Sequence, residues 1–194
     1  MPWEKTFDLE DVTAQAIAVF WKKGYEATSI SDLTKAMGIN KGSLYNAFGS
    51  KKKLFIQALK QYDRDRSQAA LVKMNANHDP MAAIIGMFDH AIEHNCTNPD
   101  KKGCLLVNTA LELPHHDTDI RDLVTASLDN LRDFFEHNVM RGQSDGVFST
   151  DIEPKSAAQV LRSLIVGLQV LSRGASEPGD FELVKAQVLQ LLRG

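Results

Sequence analysis

The residues of this 194-residue chain that carry chemistry fall into a few groups. His90-Ala91-Ile92-Glu93-His94 places two imidazoles four positions apart on one helical face, the H-x-x-E-H spacing with which one class of peptidases holds zinc. Hydrolysis there needs a third ligand and an open cleft, and both histidines border an apolar stripe. A structural role is expected, with no metal and no cofactor. His115 and His116 follow Pro114 in a loop and are expected to be exposed. Cys104 follows Lys101, Lys102 and Gly103 at a helix start, where the helix dipole and nearby cations favour thiolate and would lower its pKa. Small apolar filling or pocket lining is the competing role. Lys51, Lys52 and Lys53 crowd another helix start, where the dipole disfavours each cation by about 0.3 kcal/mol or more. Something anionic should compensate, and backbone N–H groups beside lysines make a phosphate site. The sequence contains no nucleophile elbow, phosphate loop or dinucleotide motif, so catalysis is not expected.

The elements that must position these residues read as helices almost throughout. Composition is that of a soluble globular protein, 43% hydrophobic and 24% charged, with a formal charge of -3. The charge is unevenly placed: residues 1–60 hold nine lysines against six acids, and residues 61–194 hold 13 basic against 19 acidic side chains. No charged-then-apolar leader opens the sequence, and the longest apolar stretch, Leu164 to Leu171, is broken by Gly167 and Gln169. No membrane association and a cytoplasmic location are expected. Two cysteines eight positions apart are too few for a disulfide framework and fit a reducing compartment. The Asn95-Cys96-Thr97 glycosylation pattern is then fortuitous.

Apolar recurrences at i, i+3 and i+4 predict a first helix over Leu9–Lys23, stopped by Gly24. Ser29 with Asp32 is a capping-box start for a second helix, ended by Gly38. Asn40 caps a third, which points Leu44, Ala47 and Phe48 inward and leaves Lys41, Gly42, Ser43, Tyr45 and Asn46 outside. After Gly49-Ser50 a long helix runs from Lys51 past Leu71. Further helices are predicted from Pro80, over Cys104–Leu113, Asp119–Met140, Pro154–Ser172 and Phe181–Leu192, with loops at Asn98–Gly103 and Gly142–Glu153. Three short helices with a tight turn between the last two form a helix-turn-helix, which sets its third helix in the DNA major groove. Lys41, Ser43 and Asn46 should approach base edges, while Thr28, Tyr45, Lys51 and Lys52 should hold phosphates. Ser29 and Gly42 complete the candidate DNA-facing set.

The run from Ala16 to Phe55 resembles the DNA-binding domain of tetracycline-repressor-like (TetR family) transcriptional regulators. The resemblance lies in Phe20 with Gly24-Tyr25, Thr28-Ser29-Ile30, Gly42-Ser43-Leu44-Tyr45, Phe48, and Lys51 before Leu54. Asn46-Ala47 departs from the larger side chains usual there, which leaves base preference open. The resemblance implies an all-α protein with a helix-turn-helix domain at residues 1–50 and a ligand-binding and dimerisation domain at 51–194. It implies a homodimer through residues 155–193, a double-stranded DNA operator with palindromic half-sites, and a small-molecule inducer. Gly103-Cys104-Leu105-Leu106 is similar to a run common in one subset of these regulators, some of which sense electrophiles or oxidants through a cysteine. Polar or soft residues on the apolar faces of the central helices give the ligand-binding candidates Phe88, Cys104, Asn108, Leu111, Leu131, Phe134 and Asn138.

Overall fold

In a computed structural model the chain is described over residues 7–96, 100–175 and 177–193. Thr97 of the Asn95-Cys96-Thr97 pattern, the Asn98-Pro99 start of the expected loop and the chain's first six residues lie outside that description. The described residues are helical, with no strand among them.

Local chemistry sets the first four helices. The side chain of Asp8 accepts from the N–H of Glu10 at 2.6 Å and opens α1, Leu9–Lys23. Ser29 and Asp32 form the reciprocal capping box that opens α2, Ile30–Met37, and Lys23 pairs with the same Asp32 at 2.6 Å. That lysine, together with the Ser29 N–H and hydroxyl, holds the Asp32 carboxyl well below the usual carboxylate range. Asn40 accepts from the Ser43 N–H at 2.8 Å to open α3, Lys41–Phe48, and Ser50 does the same for Lys53 at the start of α4, Lys51–Tyr62.

The long helix expected after Ser50 is not uniform. Its hydrogen bonding widens to a π-helical stretch over Asp63–Gln68 before resuming as α5, Ala69–Asn75. Then come α6 (Pro80–Cys96), α7 (Leu105–Ala110), a single 3-10 turn (Leu113–His115), α8 (Thr118–Ser144), α9 (Pro154–Leu171) and α10 (Pro178–Arg193). Helix α7 is shorter than its apolar pattern suggested, because Pro114 turns the chain into the 3-10 segment. Helix α8 runs past Gly142, which the sequence reading made a loop start. A β-carbon at Gly142 would overlap the Phe148 ring, so this glycine serves close packing inside a helix.

Two apolar clusters organise the molecule. One joins Phe20, Leu33, Leu44, Phe48 and Phe55 of the first four helices to Leu105, Leu106, Ile120 and Val124 of α7 and α8. The other gathers Ile84, Phe88, Phe135, Val139, Leu161, Ile165 and Val188 from α6, α8, α9 and α10. Packing therefore draws no line at residue 50: the core of the head continues into the body.

Candidate nucleic-acid interface and effector cavity

Helix α3 is held by Leu44 and Phe48, which are buried, so its other face is free. Lys41, Gly42, Tyr45 and Asn46 are exposed and Ser43 is half-buried. Tyr45 keeps 40% of its surface open, and the Lys41 ammonium lies 6.0 Å from its ring centroid. This is the outward set expected from the helical period.

The flanking residues divide differently from expectation. Thr28 is only 1% exposed, and its hydroxyl donates to the Gly24 carbonyl at 2.6 Å. It closes the α1–α2 turn and presents no free hydroxyl for a phosphate. Ser29 spends its hydroxyl on Asp32. Lys51 lies over the Tyr25 ring at 4.4 Å and reaches the Glu26 carbonyl at 3.4 Å. Lys52 is paired with Asp117 at 2.6 Å and with Asp119 at 3.4 Å. Those carboxylates raise the Lys52 pKa, and the lysine in turn lowers that of Asp117. Sequence reasoning anticipated an anionic partner for this lysine run, and for Lys52 the partner is the start of α8. Nothing in the sequence linked positions so far apart.

His116 corrects another expectation. Its side chain is 2% exposed and its Nε2 has no hydrogen-bond partner among the described residues. The ring lies 5.5 Å from Tyr25 and 5.9 Å from Phe55, wedged between head and body, whereas His115 is exposed as expected.

Behind the head lies a cavity of about 100 Å³, walled by α1, the π segment, α6, α7, α8 and α9. Trp21 from α1, Tyr62 and Arg66 from the α4 run, and His90 and His94 from α6 stand on one side of it. Apolar side chains including Met87, Leu106, Leu128 and Ile165 form the rest. It continues into a wider groove of about 750 Å³ that shares Trp21, Tyr62, Arg66, His90 and His94.

Of the seven ligand candidates, Cys104 and Leu131 line this cavity. Phe88 and Phe134 are buried in the body core, and Leu111 lies 60% exposed beyond α7. Asn138 is buried, donating to the Phe134 carbonyl at 2.8 Å, and Asn108 fastens the preceding loop by donating to the Lys102 carbonyl at 2.8 Å. Sequence reasoning missed Trp21, Tyr62 and Arg66, because only the fold brings α1 and the π segment to the cavity. It marked His90 and His94 for their metal-ligand spacing and expected a structural role, whereas the fold sets both at the cavity. Their rings lie 4.0 Å apart, and among the described residues no group of three His, Cys, Asp or Glu side chains is placed to hold a metal.

Cys104 is not in the first turn of α7 but caps it, with extended backbone angles of φ -98° and ψ 132°. Burial pushes its thiol above the ordinary value, although the Val107 N–H, the Tyr62 hydroxyl and the Leu106 N–H pull the other way. The expected activated thiolate is thus reversed: loss of hydration around the sulfur outweighs the helix dipole. Burial, with the facing Cys104, also raises the Tyr62 pKa. The loop ahead of Cys104 is tied to its surroundings. The Trp21 indole N–H is shared between the carbonyls of Lys102 at 3.2 Å and Gly103 at 3.1 Å. Gly103 has φ +64°, and a β-carbon there would come within 2.9 Å of the Gln169 carbonyl, so only glycine fits.

Three short helices presenting one exposed face, on a helical body hollowed behind them, define a helix-turn-helix DNA-binding regulator with a sensor domain. Residues 12–58 match bacterial regulatory proteins of the tetR family, and residues 80–188 match the tetracyclin repressor-like C-terminal domain. The chain belongs to the tetR family of bacterial transcriptional regulators. It is 29% identical over 171 residues to the uncharacterized HTH-type transcriptional regulator YezE of Bacillus subtilis (strain 168), covering 87% of this chain and 88% of that protein. It is 30% identical over 151 residues to the HTH-type transcriptional repressor DhaR of Mycobacterium sp. (strain GP1), covering 74% of this chain and 71% of that one. Among solved structures, a cysteine-substituted form of the TetR family transcriptional regulator CifR, complexed with 26-bp double-strand operator DNA, superposes with a TM-score of 0.84. That match is 26% identical and covers 97% of this chain and 98% of the other.

Proposed function

We propose that this regulator is a cytoplasmic repressor that binds a palindromic DNA operator as a homodimer and leaves it when a small, mostly apolar molecule occupies the cavity without covalent attachment. The observation that carries this reading is the outward α3 face, with Lys41, Tyr45 and Asn46 exposed and Ser43 half-buried, on a head whose core runs on into the cavity-bearing body. The operator-bound CifR structure and the repressor DhaR support the DNA half of the reading. Lys41, Ser43 and Asn46 read base edges, and Tyr45, Lys51 and Lys53 meet phosphates.

Dimerisation through residues 155–193 is supported by the apolar surface left outside. Leu161, Leu168, Phe181, Val188 and Leu192 are buried within the chain, but Val160, Leu171, Leu183 and Leu191 are exposed. A β-carbon on Gly167 would meet nothing within 4 Å, so no contact inside the chain requires glycine there, which favours close approach of a partner helix. The raised Cys104 pKa favours noncovalent binding over thiol chemistry. Among the described residues, no helix is long and apolar enough to cross a membrane.

The test is fluorescence anisotropy on the intergenic DNA beside the protein's own gene, at several salt concentrations. Affinity falling steeply with salt, as phosphate neutralisation requires, is the expected result. No binding at low salt would refute the reading.

A further inference from the structure

We infer that the cavity and its mouth form a site for a small apolar carboxylic acid, the hydrocarbon part lying in the cavity and the carboxylate on Arg66. This rests on the effector reading above and names the ligand class. The inner walls are apolar, with Leu71, Met87, Leu106, Leu128, Leu131 and Ile165 among them. Space of about 100 Å³ suits something on the order of a benzene ring or a short chain.

The mouth carries the specificity. The Arg66 guanidinium carbon lies over the Trp21 ring at 5.3 Å from its centroid and 5.9 Å from that of Tyr62. A guanidinium stacked on aromatic faces keeps its in-plane N–H donors for an acceptor, and their fork matches a carboxylate. Three other arginines spend their forks on carboxylates, Arg64 on Glu10 and Asp65, Arg132 on Asp129 and Asp133, and Arg162 on Asp129, while Arg141 and Arg173 meet amide and carbonyl oxygens. Among the described residues Arg66 has no such ion pair, yet it is permanently charged and borders an apolar space.

His90 shares that rim. Burial, the facing His94, Lys73 and Arg66 hold its pKa below the ordinary value, and the nearby Glu93 only partly offsets them. It therefore offers a neutral N–H at pH 7. The wider groove mixes Arg66, Lys73 and Lys102 with Asp65 and Glu93, but the inner cavity has Arg66 as its one permanently charged lining residue, so a cation there would face it and a neutral ligand would leave the fork empty. An acid uses both halves of the site.

Isothermal titration of the full-length protein with phenylacetate and hexanoate, against phenylacetamide and hexanamide, tests this. The acids should bind about tenfold more tightly than their amides, the difference between charge-assisted and neutral hydrogen bonding. Arg66→Gln should remove that preference and Arg66→Lys should restore part of it, with a thermal melt to check the fold. The wild-type comparison stays decisive whatever the variants' stability. Equal affinity for acid and amide, binding of neither pair, or a preference that survives Arg66→Gln would overturn the inference. DNA release is measured alongside: an amide that binds as well and dissociates the operator complex overturns the ligand class alone. A protein that binds the acids and never binds DNA overturns the repressor reading alone.

Discussion

Trp21 is where the DNA-binding head touches the cavity wall, and Trp21→Phe isolates what it does there. The indole N–H is shared by the Lys102 and Gly103 carbonyls, the ring meets Tyr62 edge-on at 5.1 Å, and its face lies beneath Arg66. Phenylalanine keeps an apolar ring but removes the donor. The Lys102 carbonyl retains the Asn108 amide at 2.8 Å, so the loss falls mainly on Gly103. A half-buried, shared hydrogen bond contributes about 1 kcal/mol net. The smaller ring gives up roughly 40 Å² of burial, about another 1 kcal/mol at 25 cal/mol per Å². Urea unfolding should therefore show a loss of about 1–2 kcal/mol with an unchanged slope. The loop at 100–104 would also no longer be fastened to α1. A ligand of the cavity should then shift operator affinity several-fold less than in wild type, because each 1.4 kcal/mol of coupling is about tenfold. A stability loss under about 0.3 kcal/mol together with full ligand-driven release would refute this account of the link between cavity and head.

In the DNA-binding head, Tyr45→Phe should weaken binding to all sequences alike, whereas Lys41→Ala should change the preferred half-site; selection from a randomised operator library would contradict the assignment if the two effects were exchanged. Burial raises the Cys104 pKa above that of a free thiol, so alkylation of the native protein at pH 7 should be slower than that of an unfolded control and should accelerate only in more alkaline solution. Rapid iodoacetamide labelling at pH 7 would show an activated thiol after all. Gly142→Ala should destabilise the chain by about 1–3 kcal/mol, since the added methyl displaces the buried Phe148 ring. A melting temperature equal to wild type would show that the ring moves freely.

The sequence by itself determined what is settled within a turn or two of chain. The Ser29–Asp32 box, the Asn40 and Ser50 caps and the bounds of α1 were readable because each cap bonds to an N–H two or three residues away. The outward face of α3 followed equally from the helical period, which needs no partner beyond Leu44 and Phe48 facing a core. The tertiary structure decided the rest. Lys52 found its anions across the fold at Asp117 and Asp119, which left it tied to the body. Thr28, an ordinary surface residue type, was buried by the turn it closes. Cys104 had a helix start and two lysines before it, which argue for thiolate, until burial beside Tyr62 reversed the sign. His116 and Arg66 differ in the same way: one is enclosed by Tyr25 and Phe55, the other carried to the cavity rim by the π stretch after α4. Capping and periodicity act over short stretches of chain, so sequence spacing encodes them. Desolvation and charge pairing depend on which distant surfaces meet, and no spacing within the sequence specifies that.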